Sequence, residues 1–89
     1  MSKREKIAGV YIQTHTASGA FFIGSSVDVY RSAAEDLRRL RKGFHSSMEL
    51  QKLYDTNSLI DTRIMCCENI EAAQQTQREL IAKDLSNPL

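Results

Sequence analysis

The chain has 89 residues, of which 42% are apolar and 26% are charged, and its formal net charge at pH 7 is +1. This length fits a single small domain over residues 1–89, and the composition is that of a globular protein and not of a disordered chain. No segment approaches the ~18 consecutive apolar residues of a membrane span, and the charged N-terminus has no apolar signal core. We therefore expect a cytoplasmic protein that does not contact a membrane.

The first half of the chain predicts a β-hairpin and then a helix. Runs of β-branched and aromatic residues at 8–13 and 20–25 indicate two strands, and turn-forming residues connect them. Apolar residues then recur at helical spacing and predict a first helix over 27–42. Ser26 is the expected N-cap of this helix, and Gly43 is the expected stop.

The second half predicts a short helix, a strand and a long helix. Ser46 and Glu49 have the spacing of a capping box, so a second helix begins there and ends near Asn57. The β-branched and apolar segment from Leu59 to Cys67 predicts a third strand. Asn69 is the expected cap of the last helix, whose inner face is marked by its apolar positions. These positions are Ile70, Ala73, Leu80 and Ile81.

The order β-β-α-α-β-α predicts an α+β domain with a small, mostly antiparallel three-stranded sheet flanked by three helices. The two cysteines, Cys66 and Cys67, are adjacent and cannot form the spaced disulfide framework of a small secreted protein. The two histidines, His15 and His45, show no metal-ligand spacing. The residues themselves therefore predict reduced cysteines and no metal site.

Basic residues are concentrated in the first half of the chain, most densely at the end of the first predicted helix. Such a cluster contacts phosphates in many DNA-binding proteins. Cations are also favoured at a helix C-terminus by the helix dipole, and Glu35 and Arg39 have the spacing of an ordinary i, i+4 pair, so a solvated face is the alternative. The cluster comprises Arg38, Arg39, Arg41 and Lys42, and Lys52 and the basic N-terminus extend it.

Two short segments and their spacing resemble the paired strand motifs of the GIY-YIG nucleases. These segments are Gly9-Val10-Tyr11 and Phe22-Ile23-Gly24-Ser25. Residues 43–51, with their Gly-x-His sequence, are similar to the corresponding segment of phage intron-encoded homing endonucleases in this family. The resemblance runs in register over nearly the whole chain and implies the α+β fold already predicted.

The resemblance also implies a set of catalytic positions. In the family, a tyrosine of the first motif is the probable general base and a tyrosine of the second motif orients the attacking water. An arginine and then a histidine or tyrosine follow on the first helix, and a glutamate on the last helix holds Mg²⁺. In this sequence, these five positions are occupied by Tyr11, Phe22, Ser32, Asp36 and Gln77.

Four of these positions depart from the family pattern, since only Tyr11 is retained. Phe22 cannot hydrogen-bond a water, Asp36 would repel a phosphate, and Gln77 is a poor Mg²⁺ ligand. Arg31 lies one residue before the family arginine and so about 100° around the helix, unless a π-bulge rotates it. The resemblance therefore predicts a pseudo-nuclease with no catalytic residues, no metal and no cofactor.

The expected activity is then binding, either to nucleic acid or to a protein such as a nuclease or host defence protein, in a host cytoplasm if the chain is phage-encoded. His45, Ser46 and Ser47 can hold a DNA backbone at a helix N-terminus, although ordinary capping explains the serines equally well. The alternative is an active Mg²⁺-dependent DNA endonuclease with a rearranged site that uses Tyr11, Arg31, His45 and a displaced acid. The candidate nucleic-acid-binding residues are Arg31, Arg38, Arg39, Arg41, Lys42, His45, Ser46 and Lys52.

Overall fold

The predicted order of elements is confirmed by the computed structural model, which describes residues 6–83. The basic residues at 1–5 and the polar tail at 86–89 lie outside the described residues. Within residues 6–83, no helix has both the length and the apolar character needed to cross a bilayer. The elements are β1 (Gly9–His15), β2 (Phe21–Ser26), α1 (Val29–Lys42), α2 (Met48–Thr56), β3 (Ile60–Cys66) and α3 (Ile70–Lys83).

The three strands form an antiparallel sheet with the order β2-β1-β3, so β1 is central and pairs on both sides. In this register Tyr11 lies opposite Gly24 on β2 and opposite Ile64 on β3. Strand β1 runs two residues further than predicted, to His15, because its last residues pair with the beginning of β3. The predicted fold class is thus confirmed.

The two motif glycines are both required by close approach to a neighbouring element. A Cβ atom on Gly9 would lie 2.4 Å from the carbonyl oxygen of Met65 and 3.1 Å from Val29. A Cβ atom on Gly24 would lie 2.4 Å from Cζ of Tyr11. Since a Cβ at such distances forces its neighbours to move, Gly9 allows β3 and α1 to approach β1, and Gly24 makes room for the Tyr11 ring.

The two faces of the sheet bury different kinds of side chain, because successive residues of a strand point to opposite faces. On one face, α3 packs through Ala73 against an apolar cluster that contains Val10 and Ile23. On the other face, α1 packs through Val29 and other residues around Tyr11. We call this second side the α1 face. It also carries the buried polar residues described below.

The beginnings of α1 and α2 differ from the predicted caps. Helix α1 begins after Asp28 and not after Ser26, whose hydroxyl accepts a hydrogen bond of 3.0 Å from the Asp28 N–H. Helix α2 is capped by Ser47, whose hydroxyl accepts from the N–H of Leu50, and not by Ser46. Adjacent serines give the same local signal, and the tertiary position of the chain decides which of them caps the helix.

The end of α1 and the beginning of α3 agree with the sequence. Gly43 has a φ of 89°, in the left-handed region that favours glycine. The side chain of Asn69 accepts a hydrogen bond of 2.8 Å from the N–H of Ala72, as an N-cap does. One predicted inner-face residue of α3 is wrong: Ile81, two residues before the end of the helix, is exposed.

Candidate active site

The α1 face of the sheet contains a layer of buried polar side chains, in contrast to the apolar layer under α3. Buried polar groups in a small domain are normally held by hydrogen bonds, so each of them constrains its neighbours. They come from β1, from α1 and from the segment that begins α2. The members are Gln13, His15, Asp36, His45, Ser47 and Gln51.

Asp36 lies at the centre of the candidate site. The hydroxyl of Tyr11 donates a hydrogen bond of 2.6 Å to Oδ2 of Asp36, and the Arg39 guanidinium lies 2.9 Å from Oδ1. The Nε2 atom of His45 is 3.6 Å from Oδ2, which is longer than a hydrogen bond. We call Tyr11, Asp36, Arg39 and His45 the Asp36 cluster. Arg39 compensates the negative charge of Asp36 in this geometry, and whether Asp36 repels a phosphate stays a prediction.

Tyr11 is held in its protonated form. Burial of the ring and the hydrogen bond to Asp36 both raise the pKa of Tyr11 above its ordinary value of 10.0. The residue is buried, and its hydroxyl is bonded inside the fold and not at the surface. Tyr11 is therefore a hydrogen-bond donor to Asp36 and not a free phenolate.

His45 is fully enclosed, and its ring is fixed on two sides. Its Nδ1 accepts a hydrogen bond of 2.9 Å from the N–H of Ser47, which places the proton of the neutral ring on Nε2, facing Asp36. The ring of Phe22 meets it edge-on at a centroid distance of 5.0 Å. Burial lowers the pKa of His45 below its ordinary value of 6.5, although Asp36 acts in the opposite direction.

Gln51 holds the backbone at His45 in place through hydrogen bonds, and sequence reasoning did not identify this residue. Its side-chain oxygen accepts from the N–H of His45 at 2.9 Å, and its amide donates to the carbonyl oxygen of Leu40 at 2.9 Å. Gln51 therefore connects the end of α1 to the residue that faces Asp36. No spacing along the sequence indicates such a contact, because it joins a side chain on α2 to backbone groups outside that helix.

Ser32 and Gln77, at the arginine and glutamate positions implied by the resemblance, contact β2. The hydroxyl of Ser32 lies 2.6 Å from that of Ser26 at the end of the strand. The side-chain oxygen of Gln77 accepts from the Ser25 hydroxyl at 2.7 Å, and its amide donates to the carbonyl oxygen of Ile23 at 3.0 Å. Both polar atoms of Gln77 are thus engaged, and α3 lies on the opposite face of the sheet from Tyr11.

These residues do not fit the Mg²⁺ site that the resemblance implies. Gln77 offers a neutral oxygen that already accepts a hydrogen bond, and Mg²⁺ in proteins prefers carboxylates. Both oxygens of Asp36 are likewise bonded to protein groups. Within residues 6–83, no three His, Cys, Asp or Glu side chains lie together as metal ligands, and Cys66 and Cys67 are free thiols.

Of the predicted nucleic-acid-binding residues, only His45 is buried, and the other seven are exposed. The side chain of Arg31 is exposed and bonded to Glu35 at 3.1 Å, so it lies away from Asp36. His45 is enclosed within the fold, whereas Ser46 is exposed. Whether any of them contacts nucleic acid stays a prediction. The remaining members, all exposed, are Arg38, Arg39, Arg41, Lys42 and Lys52.

Comparison with known proteins places the fold. No protein-family model matches the sequence, and a search of curated proteins gives no significant match. The structure is similar to that of the catalytic domain of the homing endonuclease I-TevI, with a TM-score of 0.73 and 20% identity over 85% of this chain and 86% of that domain. A point mutant of the same catalytic domain matches with a TM-score of 0.73 and 20% identity, over 86% of this chain and 82% of that chain.

The prediction of a non-enzymatic pseudo-nuclease is wrong, because the fold matched is that of a catalytic nuclease domain. The degenerate character predicted for positions 22, 32, 36 and 77 is not shown by a fold match at this identity. The resemblance in the two strand motifs is confirmed at the level of the fold. The chain therefore has the fold of a GIY-YIG homing endonuclease catalytic domain.

Proposed function

We propose that this domain binds DNA and cleaves its phosphodiester backbone, with Tyr11, Asp36 and Arg39 at the reacting phosphate. The observation that carries the proposal is the buried hydrogen bond from Tyr11 to Asp36, beside the Arg39 guanidinium. Tyr11 occupies the first-motif position of the nuclease fold, and the solved relatives are described as catalytic domains of an endonuclease. A tyrosine, a carboxylate and a cation together supply the groups that phosphodiester cleavage requires.

The DNA-facing surface in this proposal is the C-terminal half of α1. Arg38, Arg41 and Lys42 are exposed there, and Lys52 adds a further cation on α2. The net charge of +1 gives little overall attraction to a polyanion, so binding depends on this local concentration of charge. Each phosphate that these residues neutralise releases counterions, so the affinity falls as salt is added.

Arg39 is the cation that can stabilise the reacting phosphate. Its side chain is 46% exposed, and its Nη1 atom donates to Asp36. One side of the guanidinium therefore faces Asp36, and the rest is open to solvent. A guanidinium has five N–H donors, so it can bind a phosphate oxygen without releasing the carboxylate. Arg31, bonded to Glu35 further along α1, has no such relation to Asp36.

Asp36 is the proton acceptor in this site. Because Tyr11 stays protonated, it cannot itself remove a proton from water as a phenolate. Tyr11 can instead pass its own proton to Oδ2 of Asp36 while its oxygen accepts a proton from the attacking water. The hydroxide formed from the water attacks the phosphorus, and the P–O bond to the departing DNA oxygen breaks. Tyr11 regains a proton from the water, Asp36 carries the proton that Tyr11 gave up, and the departing oxygen takes a proton from solvent.

A plasmid-nicking assay tests the proposal, run with Mg²⁺ and separately with a chelator. Wild-type protein should convert supercoiled plasmid to the nicked form, and Asp36→Asn should not, because the amide cannot accept the proton. Arg39→Ala should lower the rate by on the order of 10²–10³, as loss of one charge-stabilising contact does. The comparison of the two metal conditions decides whether a divalent ion takes part.

Arg31→Ala is the matched control, since Arg31 is also an exposed arginine on α1 with an acidic partner. Its nicking rate should stay close to that of the wild type. Equal losses for Arg31→Ala and Arg39→Ala would show that general charge, and not the contact with Asp36, supports cleavage. Absence of nicking by the wild type under both metal conditions would refute the nuclease proposal.

A second candidate is regulation of a nuclease or a host defence protein through a protein contact. The near-neutral net charge favours it, because a domain that depends on DNA binding commonly carries a larger positive charge. Recovery of a stoichiometric protein partner, together with no gel shift of DNA at physiological salt, would favour this candidate over the first.

A further inference from the structure

Two large apolar side chains are exposed where the chain passes from α1 to the first residue of α2. Phe44 is 62% exposed and Met48 is 70% exposed. Among the other large apolar residues within 6–83, Leu59, at 65%, and Val27, at 54%, come next in exposure. An aromatic ring and a methionine that are four residues apart and both exposed indicate a surface that contacts something else.

The backbone holds Phe44 in this position. The N–H of Phe44 donates to the carbonyl oxygen of Arg39 at 3.0 Å, and the N–H of Gly43 donates to that of Leu40 at 3.2 Å. These two bonds form a Schellman motif, in which the residue after the glycine commonly packs against an apolar residue of the last helical turns. Here, that position of the helix is Arg39, whose guanidinium is bonded to Asp36. Phe44 therefore has no apolar partner at that position, and its ring stays exposed.

The residues between Phe44 and Met48 fix the segment to the domain. His45 is enclosed beside Asp36, and the Ser47 hydroxyl caps α2. Buried His45 and Ser47 thus alternate with exposed Phe44, Ser46 and Met48, so two buried residues hold the segment that carries the exposed apolar side chains. The last turn of α1, directly before this segment, contributes the basic residues Arg39, Arg41 and Lys42.

We infer that Phe44 and Met48 insert between base pairs of DNA while the basic residues of α1 hold the neighbouring phosphates. This inference rests on the proposed function, and it specifies how the domain distorts its substrate. Exposed Phe and Met side chains are used as wedges by proteins that unstack a base step and bend the duplex. The charge beside the two side chains favours a polyanion over an apolar protein surface as the partner. When a base step is unstacked beside Asp36 and Arg39, the adjacent phosphate of the DNA backbone can move towards these two residues.

The test measures binding and base unstacking separately. A DNA duplex that carries 2-aminopurine should become more fluorescent when wild-type protein binds, because the unstacked base is no longer quenched. Phe44→Ala should weaken binding by about tenfold to a hundredfold, the range expected for loss of one base-stacking side chain. It should also abolish the fluorescence change. Met48→Ala should reduce both signals to a smaller extent.

Leu59→Ala is the matched control, because Leu59 is equally exposed but lies in the connection between α2 and β3. It should change neither signal. Lys42→Ala should weaken binding and reduce the slope of log affinity against log salt by about one, whereas Phe44→Ala should leave that slope unchanged. Thermal unfolding of the Phe44 and Met48 variants should match that of the wild type, since both side chains are exposed.

The outcomes separate this inference from the proposed function. If wild-type protein binds DNA and cleaves it, but Phe44→Ala binds equally well with the same fluorescence, the wedge is refuted and the nuclease proposal stands. If wild-type protein shows no salt-dependent DNA binding at all, both are refuted. Equal losses for Phe44→Ala and Leu59→Ala would also refute the wedge, because exposed apolar surface of any location would then produce the effect.

Discussion

The hydrogen bond between Tyr11 and Asp36 should be a major contribution to the stability of this domain. Replacement of Tyr11 by phenylalanine removes only the hydroxyl and keeps the ring that packs beside Phe22. The lost bond is short, buried and made to a carboxylate, and bonds to charged groups contribute ~1.5–3 kcal/mol. Oδ2 of Asp36 would retain only the distant Nε2 of His45 at 3.6 Å, so we expect a loss in the upper part of that range.

A double-mutant cycle measures this contribution. Urea unfolding of the wild type, Tyr11→Phe, Asp36→Ala and the double variant should give a coupling energy of about 1.5–3 kcal/mol between the two sites. Tyr11→Phe alone should lower the melting temperature by on the order of 10 °C, since about 4–8 °C corresponds to 1 kcal/mol in a domain of this size. A coupling energy below about 0.5 kcal/mol, the limit of additivity for independent sites, would refute the reasoning.

The same variant has a pH dependence of known sign. The pKa of Tyr11 is raised in the folded state above its ordinary value of 10.0, so the unfolded chain loses the phenolic proton first. The stabilisation is therefore fully present below pH 10 and decreases as the pH rises above that value. The difference in unfolding free energy between wild type and Tyr11→Phe should shrink accordingly, and a difference that stays constant into the alkaline range would contradict the assignment.

Three further predictions concern single positions. Gly24→Ala should destabilise the domain by about 1–3 kcal/mol in urea unfolding and lower nicking activity, because the new Cβ would overlap the Tyr11 ring. Unchanged stability would mean that the ring can move freely. Gly43→Ala should cost about 1–2 kcal/mol in the same measurement, since its φ of 89° is unfavourable for a residue with a Cβ. The pKa of His45 is lowered by burial, so the stability of the wild type should fall as the pH falls below 6.5. The variant His45→Asn retains an acceptor for the Ser47 N–H. Its stability in urea unfolding should therefore depend less on pH across that range.

The candidate site was only partly accessible to sequence reasoning. The position of Tyr11 followed from the strand motif, and the i, i+3 spacing of Asp36 and Arg39 on one helix was visible in the sequence. The bond between Tyr11 and Asp36 was not visible, because it joins residues 25 positions apart on different elements. Asp36 was therefore interpreted as an isolated negative charge, and Arg31 was named as the cation near the family arginine position.

Local patterns determined the elements of this protein by themselves. The period of two in the strands, the period of 3.6 in the helices and the stop at Gly43 depend on residues close in sequence, so they gave the α+β order correctly. Only the tertiary structure decided which polar groups meet. The packing of α1 over one face of the sheet places Asp36 against Tyr11, while α3 on the opposite face directs Gln77 to β2. Contacts between elements depend on packing angles and side-chain rotamers, and no spacing within one element specifies them.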